Sequence, residues 1–416
     1  MGPVVRWALA VLFLWAAPAA CASQVVAGVA REEFALPAKV PLAGYSRRHG
    51  KPSLSVHDPV GVRALVLQDD ETVAVLVSCD LLIVDEHLFG AVRRRLLASG
   101  LPPRHTLLLA GTHTHSGPGA YGTRFFEKIS MGHFDPRVFD ALVEAIVRAV
   151  AQARSSAAPA RIAFAASRTH GLVKNRMEDD GPVDDELTVV GLSRPDAAAP
   201  FAVLVGFAAH PTTLGASNME RSGDYPGVLM REVERRLPGS TCVFFAGAAG
   251  DQAPVKSGPG FASAESIGTA LAQRAVELLG QRPPESLGPL HAVQETMALP
   301  PARLTVHGWR IPRWLGARFV DDDATLSVVR AGPVVFFGVP CDVVASLGAR
   351  LKEAARARGV QPVVVGFASD YIGYCVSVAL YRQTQTYETA MAFNGPDAGE
   401  RVIERLTQLF QQLPGQ

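Results

Sequence analysis

This chain of 416 residues has few features that would make it a specialised scaffold. Five cysteines are too few for a disulfide-built fold. A formal charge of +1, with Lys and Arg dispersed apart from short groups such as Arg93–Arg95, gives no footprint for nucleic acid. After the N-terminus no apolar run has the length and purity of a membrane span, and no internal repeat is visible. Four cysteines, Cys79, Cys242, Cys341 and Cys375, lie in or beside apolar runs. They can form up to two disulfides in an oxidising compartment, or remain buried thiols.

What is present is bulk apolar content: 48% hydrophobic residues, ample for a large buried core. Arg6 is followed by the apolar stretch 7–17 and then by small residues. Residues 1–22 therefore read as a signal peptide, leaving 23–416 as a single catalytic domain. Cleavage after Ala22 makes an exported protein, periplasmic or secreted; cleavage before Cys21, the less favoured reading, makes a lipoprotein. Strand-like runs alternate with amphipathic stretches, which predicts an α/β fold of mixed β-sheets flanked by helices. Helices are expected over Asp85–Ser99, Pro136–Arg154, Ala262–Leu279, Val343–Arg358 and Ala398–Leu413. The proline-containing stretch Arg282–Pro312 reads as a connection or as irregular edge strands.

Chemistry concentrates in GTHTHSGPGAY, residues 111–121, where His113 and His115 sit two apart at the end of an apolar run. On a strand, such positions share a face roughly 6 to 7 Å apart, so one imidazole can hold a metal while the other faces a reacting group. A structural pair fits the spacing equally well. Other apolar runs also end in reactive residues: one at His210, one before Gly250 and Asp251, one at Cys341 and Asp342, and one before Tyr371 and Tyr374. In α/β sheets, sites form where strands end, so His113, His210, Asp342 and Tyr374 can meet in one cleft. Two imidazoles and a carboxylate make a common zinc shell, and zinc lowers the pKa of a bound water to about 7.

Several segments, in order, resemble the neutral/alkaline ceramidase family. They are PLAGYSRRHGKPSLSVHDPVGVRALVLQDD, GTHTHSGPGAY, KNRMEDDGPVDDELTVV, GFAAHPTTLGASNMERSGDYPG and AGAAGDQAP. The resemblance runs from Leu42 to Glu388. It implies a zinc amidase, with one Zn2+ per chain, that cleaves the N-acyl bond of ceramide or a related N-acylated lipid by attack of a metal-bound hydroxide. It further implies His113, His210, Asp342 and Tyr374 as ligands, with Asp342 standing where the family has glutamate and Cys341 as an alternative ligand. His115 would transfer protons, and Arg176 or Tyr387 would stabilise the developing oxyanion.

Residues Gly250, Asp251 and Ala253 match the family's GDxSP turn, which the resemblance implies is a substrate-binding wall of the pocket, with Ala253 in place of serine. That departure motivates two alternatives: ester, lactone or other amide hydrolysis on the same fold, and a lipid-binding protein that has lost catalysis. Taken without the resemblance, Arg176 reads equally as an ion-pair partner of Asp184 or Asp185. Asp80 reads as an orienter of a ligand histidine or as a helix cap. The partners expected are a lipid substrate and peripheral membrane contact, with no obligate protein partner.

Overall fold

The computed structural model describes residues 24–303, 319–383 and 385–415, and the backbone of 305–306 and 309–310. The expected signal peptide and Cys21 lie outside them. The architecture is α/β, with mixed sheets and flanking helices, and it repeats one topology three times. In each instance three antiparallel strands are followed by a helix that crosses to a fourth strand, parallel to the third; a last helix packs back onto the sheet.

The first instance runs through strands Val26–Glu33, Gly61–Gln68 and Val73–Cys79, helix Glu86–Ala98, strand Thr106–Gly111 and helix Pro136–Ser155. The second uses strands Arg161–Arg168, Glu186–Ser193 and Pro200–Phe207, helix Asp224–Arg236, strand Thr241–Ala246 and helix Phe261–Gly280. The third uses strands Leu290–Ala298, Asp323–Ala331 and Val334–Gly338, helix Ala345–Arg356, strand Gln361–Val365 and helix Ala398–Gln412. No repeat was visible in the sequence because this one lives in topology. Apolar residues interchange freely within a core, so a shared topology needs no shared letters.

Strand alternation explains the packing. In Gly61–Gln68, Val62, Ala64 and Val66 face the first pair of helices, while Leu65 and Leu67 turn the other way into a central core. Val203 and Val205 alternate with Leu204, and Val335 and Phe337 with Phe336, in the same manner. The inner faces of all three sheets thus share one core, and each outer face is covered by its own helices. Each fully buried Leu or Phe contributes about 1.5–3 kcal/mol. Because both faces are buried, these strands read in sequence as nearly continuous apolar runs. Polar cross-ties join the sheets: Ser78 Oγ donates to the Phe244 carbonyl, and Gln294 Nε2 to that of Leu107 at 2.6 Å.

The five expected helices are found with ends shifted by at most two residues. Helix Asp224–Arg236 was not anticipated. Pro226 and Gly227 sit in its first turn and mask the pattern, although Pro is favourable there. Part of 282–312 is a regular nine-residue edge strand, Leu290–Ala298. All four cysteines described are buried and free, so the disulfides do not form. No described helix is long and apolar enough to cross a membrane.

Candidate functional site

The C-terminal ends of the three parallel strand pairs open on one cavity of about 750 Å³, and the reactive residues collect there. Strand Thr106–Gly111 ends two residues before His113, so the two histidines lie in the loop and not on the strand. His113 adopts a left-handed backbone (φ 64°), secured by its N–H donating to the Leu81 carbonyl at 3.0 Å and by its ring stacking on Phe367 at 3.8 Å. His210 follows strand Pro200–Phe207, and its N–H donates to the Gln252 carbonyl.

Both rings have their tautomer set by the backbone. His113 Nδ1 lies 2.7 Å from the Leu82 carbonyl and His210 Nδ1 lies 2.6 Å from that of Ala249. A carbonyl only accepts, so each Nδ1 carries the proton and each Nε2 presents a lone pair. Burial pushes the His113 pKa down to about 3 and that of His210 well below the usual value, which keeps both neutral.

These lone pairs face Asp342. Its Oδ1 stands 3.2 Å from His210 Nε2 and 3.6 Å from His113 Nε2, is buried, and has no hydrogen-bond partner; Oδ2 accepts from the Tyr371 hydroxyl at 2.7 Å. Two imidazole lone pairs and a buried carboxylate oxygen thus converge on one point. The donor set therefore fits a metal ion. Tyr374 brings its hydroxyl to 3.4 Å from His210 Nε2. Cys341 is buried in the apolar core with residues of helix Ala345–Arg356 and is not among the residues lining the cavity.

His115 is half-buried, with Nε2 3.3 Å from His113 Nε2 and its ring 4.8 Å from that of Tyr45. Its Nδ1 is buried without a partner. Donor atoms of His113, His115 and His210 all lie within 4.8 Å, so a three-imidazole set is a second geometric possibility. Arg176 donates to the Gly250 carbonyl and to the Tyr374 hydroxyl, both at 2.8 Å, and pairs with Glu388 at 3.1 Å. Its partner is thus neither Asp184, held by Lys352, nor Asp185, held by Arg168 and His170. Tyr387 lines the cavity, largely exposed, with its ring 5.7 Å from Tyr374.

The GDxSP-like turn stands behind the cavity wall. The Asp251 carboxylate is buried and bonded by Asn175, Gln252 and the Ala345 N–H, and Ala253 pairs with Lys174 in a short ladder. At Gly250 an added Cβ would lie 2.7 Å from the Asp342 carbonyl, so this glycine lets the Asp342 loop come close. Asp80 neither orients a ligand nor caps a helix: it accepts from the Gly61 N–H, while Asp85 is the cap. The residues whose supporting roles were missed in sequence are Glu388 and Gly44, while Tyr371 was singled out as reactive but without its partner Asp342. Each lies inside a quoted or adjacent segment, but nothing local marks it as a support.

A model of the neutral/alkaline non-lysosomal ceramidase N-terminal region matches residues 28–260, more than half of the chain. The chain belongs to the neutral/alkaline non-lysosomal ceramidase family. Among relatives, it is 28% identical to a neutral ceramidase of Pseudomonas aeruginosa over 281 residues, covering 61% of this chain and 41% of that one. A neutral ceramidase of Mycobacterium tuberculosis is 28% identical over 218 residues, covering 48% and 34%. In these alignments the chain thus spans less than half the length of the two ceramidases. The fold matches the crystal structure of the Pseudomonas aeruginosa neutral ceramidase with a TM-score of 0.83 at 21% identity, covering 95% of this chain and 76% of that one. A ceramidase complexed with C2 matches equally well in TM-score, at 20% identity.

Proposed function

We propose that this protein is a zinc-dependent amidase that hydrolyses the N-acyl bond of ceramide or a related N-acylated lipid. The observation that carries the reading is the convergence of His113 Nε2, His210 Nε2 and the unpartnered Asp342 Oδ1 at the floor of the cavity. With the Tyr374 hydroxyl these atoms would hold one Zn2+, which when bound polarises the amide carbonyl and acidifies water.

The chain's own groups divide the remaining work. His115, kept neutral by burial, reaches the floor through Nε2 and would move the proton from the attacking water to the leaving amine. Arg176 stays cationic beside Tyr374 and Glu388, and from the wall it would stabilise negative charge developing on the carbonyl oxygen. Tyr387, its ring 5.7 Å from that of Tyr374, would donate to the same oxygen. Phe126, Phe319 and Phe393, which line the cavity, would contact the acyl chain. The signal-peptide reading of residues 1–22 makes this an exported enzyme that meets its lipid at a membrane surface.

The test is metal analysis coupled to product identification. Purified protein should carry zinc and release fatty acid and amine from a short-chain ceramide, and His113→Ala should abolish both. Metal-free protein, or an unchanged rate in His113→Ala, refutes the reading. Rapid ester cleavage with no amide turnover transfers the proposal to an esterase on the same fold.

A further inference from the structure

The cavity has two chemically different walls. On one, Phe126 packs against Phe319 at 6.1 Å and Phe393 at 5.5 Å, with Met391 and Val320 alongside. This surface suits an alkyl chain. A polar stretch of the lining is made by residues 45–47, Thr212, Gly215, Ala216 and Lys256, and its turn adjoins the helix Phe125–Met131 that carries Phe126, with the Gly44 N–H donating to the Ser130 carbonyl at 3.0 Å. It is tied together by the Tyr45 hydroxyl donating to the Leu214 carbonyl at 3.3 Å and by Arg48 donating to the carbonyls of Ala43 and His115.

Charge is unbalanced on that polar stretch. Arg47 and Lys256 both line the cavity, both are exposed, and neither has an ion-pair partner among the described residues. The acid that feels Lys256 is Asp224, but its carboxylate is buried and already bonded by Thr213 and by the N–H groups of Leu214 and Tyr225. The carboxylates that do line the cavity are engaged elsewhere. Glu127 and Asp321 surround Arg124, and Asp342 faces the two histidines. Solvated surface cations are ordinary, but two on one polar stretch of lining, beside an aromatic one and with every cavity-lining carboxylate engaged elsewhere, make an electrostatic funnel for an anion.

We propose that the substrate carries an acidic group, a carboxylate or a phosphate, on the amine side of its amide, seated by Arg47 and Lys256 while the acyl chain lies on the phenylalanine wall. This rests on the amidase reading above. Hydrolysis itself is unchanged: water adds to the carbonyl carbon, the C–N bond breaks, the acyl fragment leaves as the acid and the nitrogen takes the proton. The acidic group takes no part in bond breaking and sets which amides are bound.

Matched pairs test it with the metal-loaded full chain: N-lauroylglycine against N-lauroylethanolamine, and short-chain ceramide 1-phosphate against the parent ceramide. The first pair reports a carboxylate and the second a phosphate. The expected result is a preference in kcat/KM of about tenfold for the charged member of at least one pair, carried by KM and shrinking as salt rises. In Arg47→Ala/Lys256→Ala the ratio should collapse toward one, and in Lys256→Glu it should invert. Equal kcat/KM within both pairs overturns the proposal while leaving the amidase reading intact, as does a preference that survives in the double variant. Turnover of neither member of either pair overturns both.

Discussion

Replacing Asp342 by Asn keeps the side-chain shape and removes the charge on which the metal assignment depends. In wild-type protein the buried Oδ1 faces two acceptor nitrogens without a proton, so the metal-free state carries a destabilised carboxylate, its pKa raised by burial. The Asn amide can donate to one of those nitrogens. Metal-free Asp342→Asn should therefore be more stable than metal-free wild type by about 1–3 kcal/mol, the cost of an unsatisfied buried polar group. Zinc reverses the order. At free zinc about a thousandfold above Kd, binding stabilises the folded wild type by about 4 kcal/mol. For 416 residues, an unfolding entropy of about 2.1 cal/mol/K per residue gives roughly 0.9 kcal/mol per degree, so wild-type Tm should rise by about 5 °C. The variant should move by about a degree or less. Differential scanning calorimetry with chelator and with zinc reads all four states, and metal analysis gives the stoichiometry. Running His115→Ala in parallel separates the two geometric donor sets. A zinc shift kept by Asp342→Asn and lost by His115→Ala would refute the carboxylate set and establish three imidazoles in its place.

Two further outcomes follow from single contacts. Gly44 has φ 102°, and an added Cβ would lie 2.6 Å from the His115 ring. Gly44→Ala should cost about 1–3 kcal/mol of stability and about a hundredfold in kcat with zinc content retained; an unchanged kcat would show that the orientation of His115 does not matter. Glu127, desolvated and facing Asp85, has its pKa raised from 4.5 to about 7. The folded state therefore holds a proton that the unfolded state releases. This contribution is fully present below pH 4.5 and is lost as pH rises through about 7, and Glu127→Gln should flatten that slope in chemical denaturation series taken across the window.

Legibility from sequence followed locality. Helix Ala398–Gln412 was plain because Val402, Ile403, Leu406, Leu409 and Phe410 recur at helical spacing and are buried. His113 and His210 stood out because each ends an apolar run, and strand ends carry chemistry in α/β sheets. By contrast, Arg176 was paired with nearby Asp184 or Asp185 because short separation is all that a sequence offers. The fold joins it to Glu388 and Tyr374, about 200 residues away. The GDxSP-like turn was placed against substrate by resemblance, whereas its Asp251 is consumed by backbone and amide partners that no motif reveals. The partner of Tyr371 escaped for the same reason: its hydroxyl acts on Asp342, and only the parallel pairing of the short strands at Asp342 and Tyr374 brings that loop alongside.

The threefold topology explains why the site is spread over so much sequence. His113 follows the fourth strand of the first instance, His210 the third strand of the second, and Asp342 and Tyr374 follow the third and fourth strands of the third. No single sheet supplies a full donor set: the carboxylate set draws on the strand-end loops of all three sheets, and the three-imidazole set on those of the first two. The residues that complete the set, Asp342 and Tyr374, also lie beyond the stretch matched by the family model, which ends at residue 260. That separation gives the Asp in place of the family's glutamate a physical route. A side chain shorter by one methylene still reaches the same point if its loop sits closer to the floor. The loop here is drawn in by the Gly250 N–H donating to Val343 and by the absent side chain of Gly250, against which the Asp342 backbone lies. Gly250 thereby sets how close the Asp342 carboxylate comes to His113 and His210.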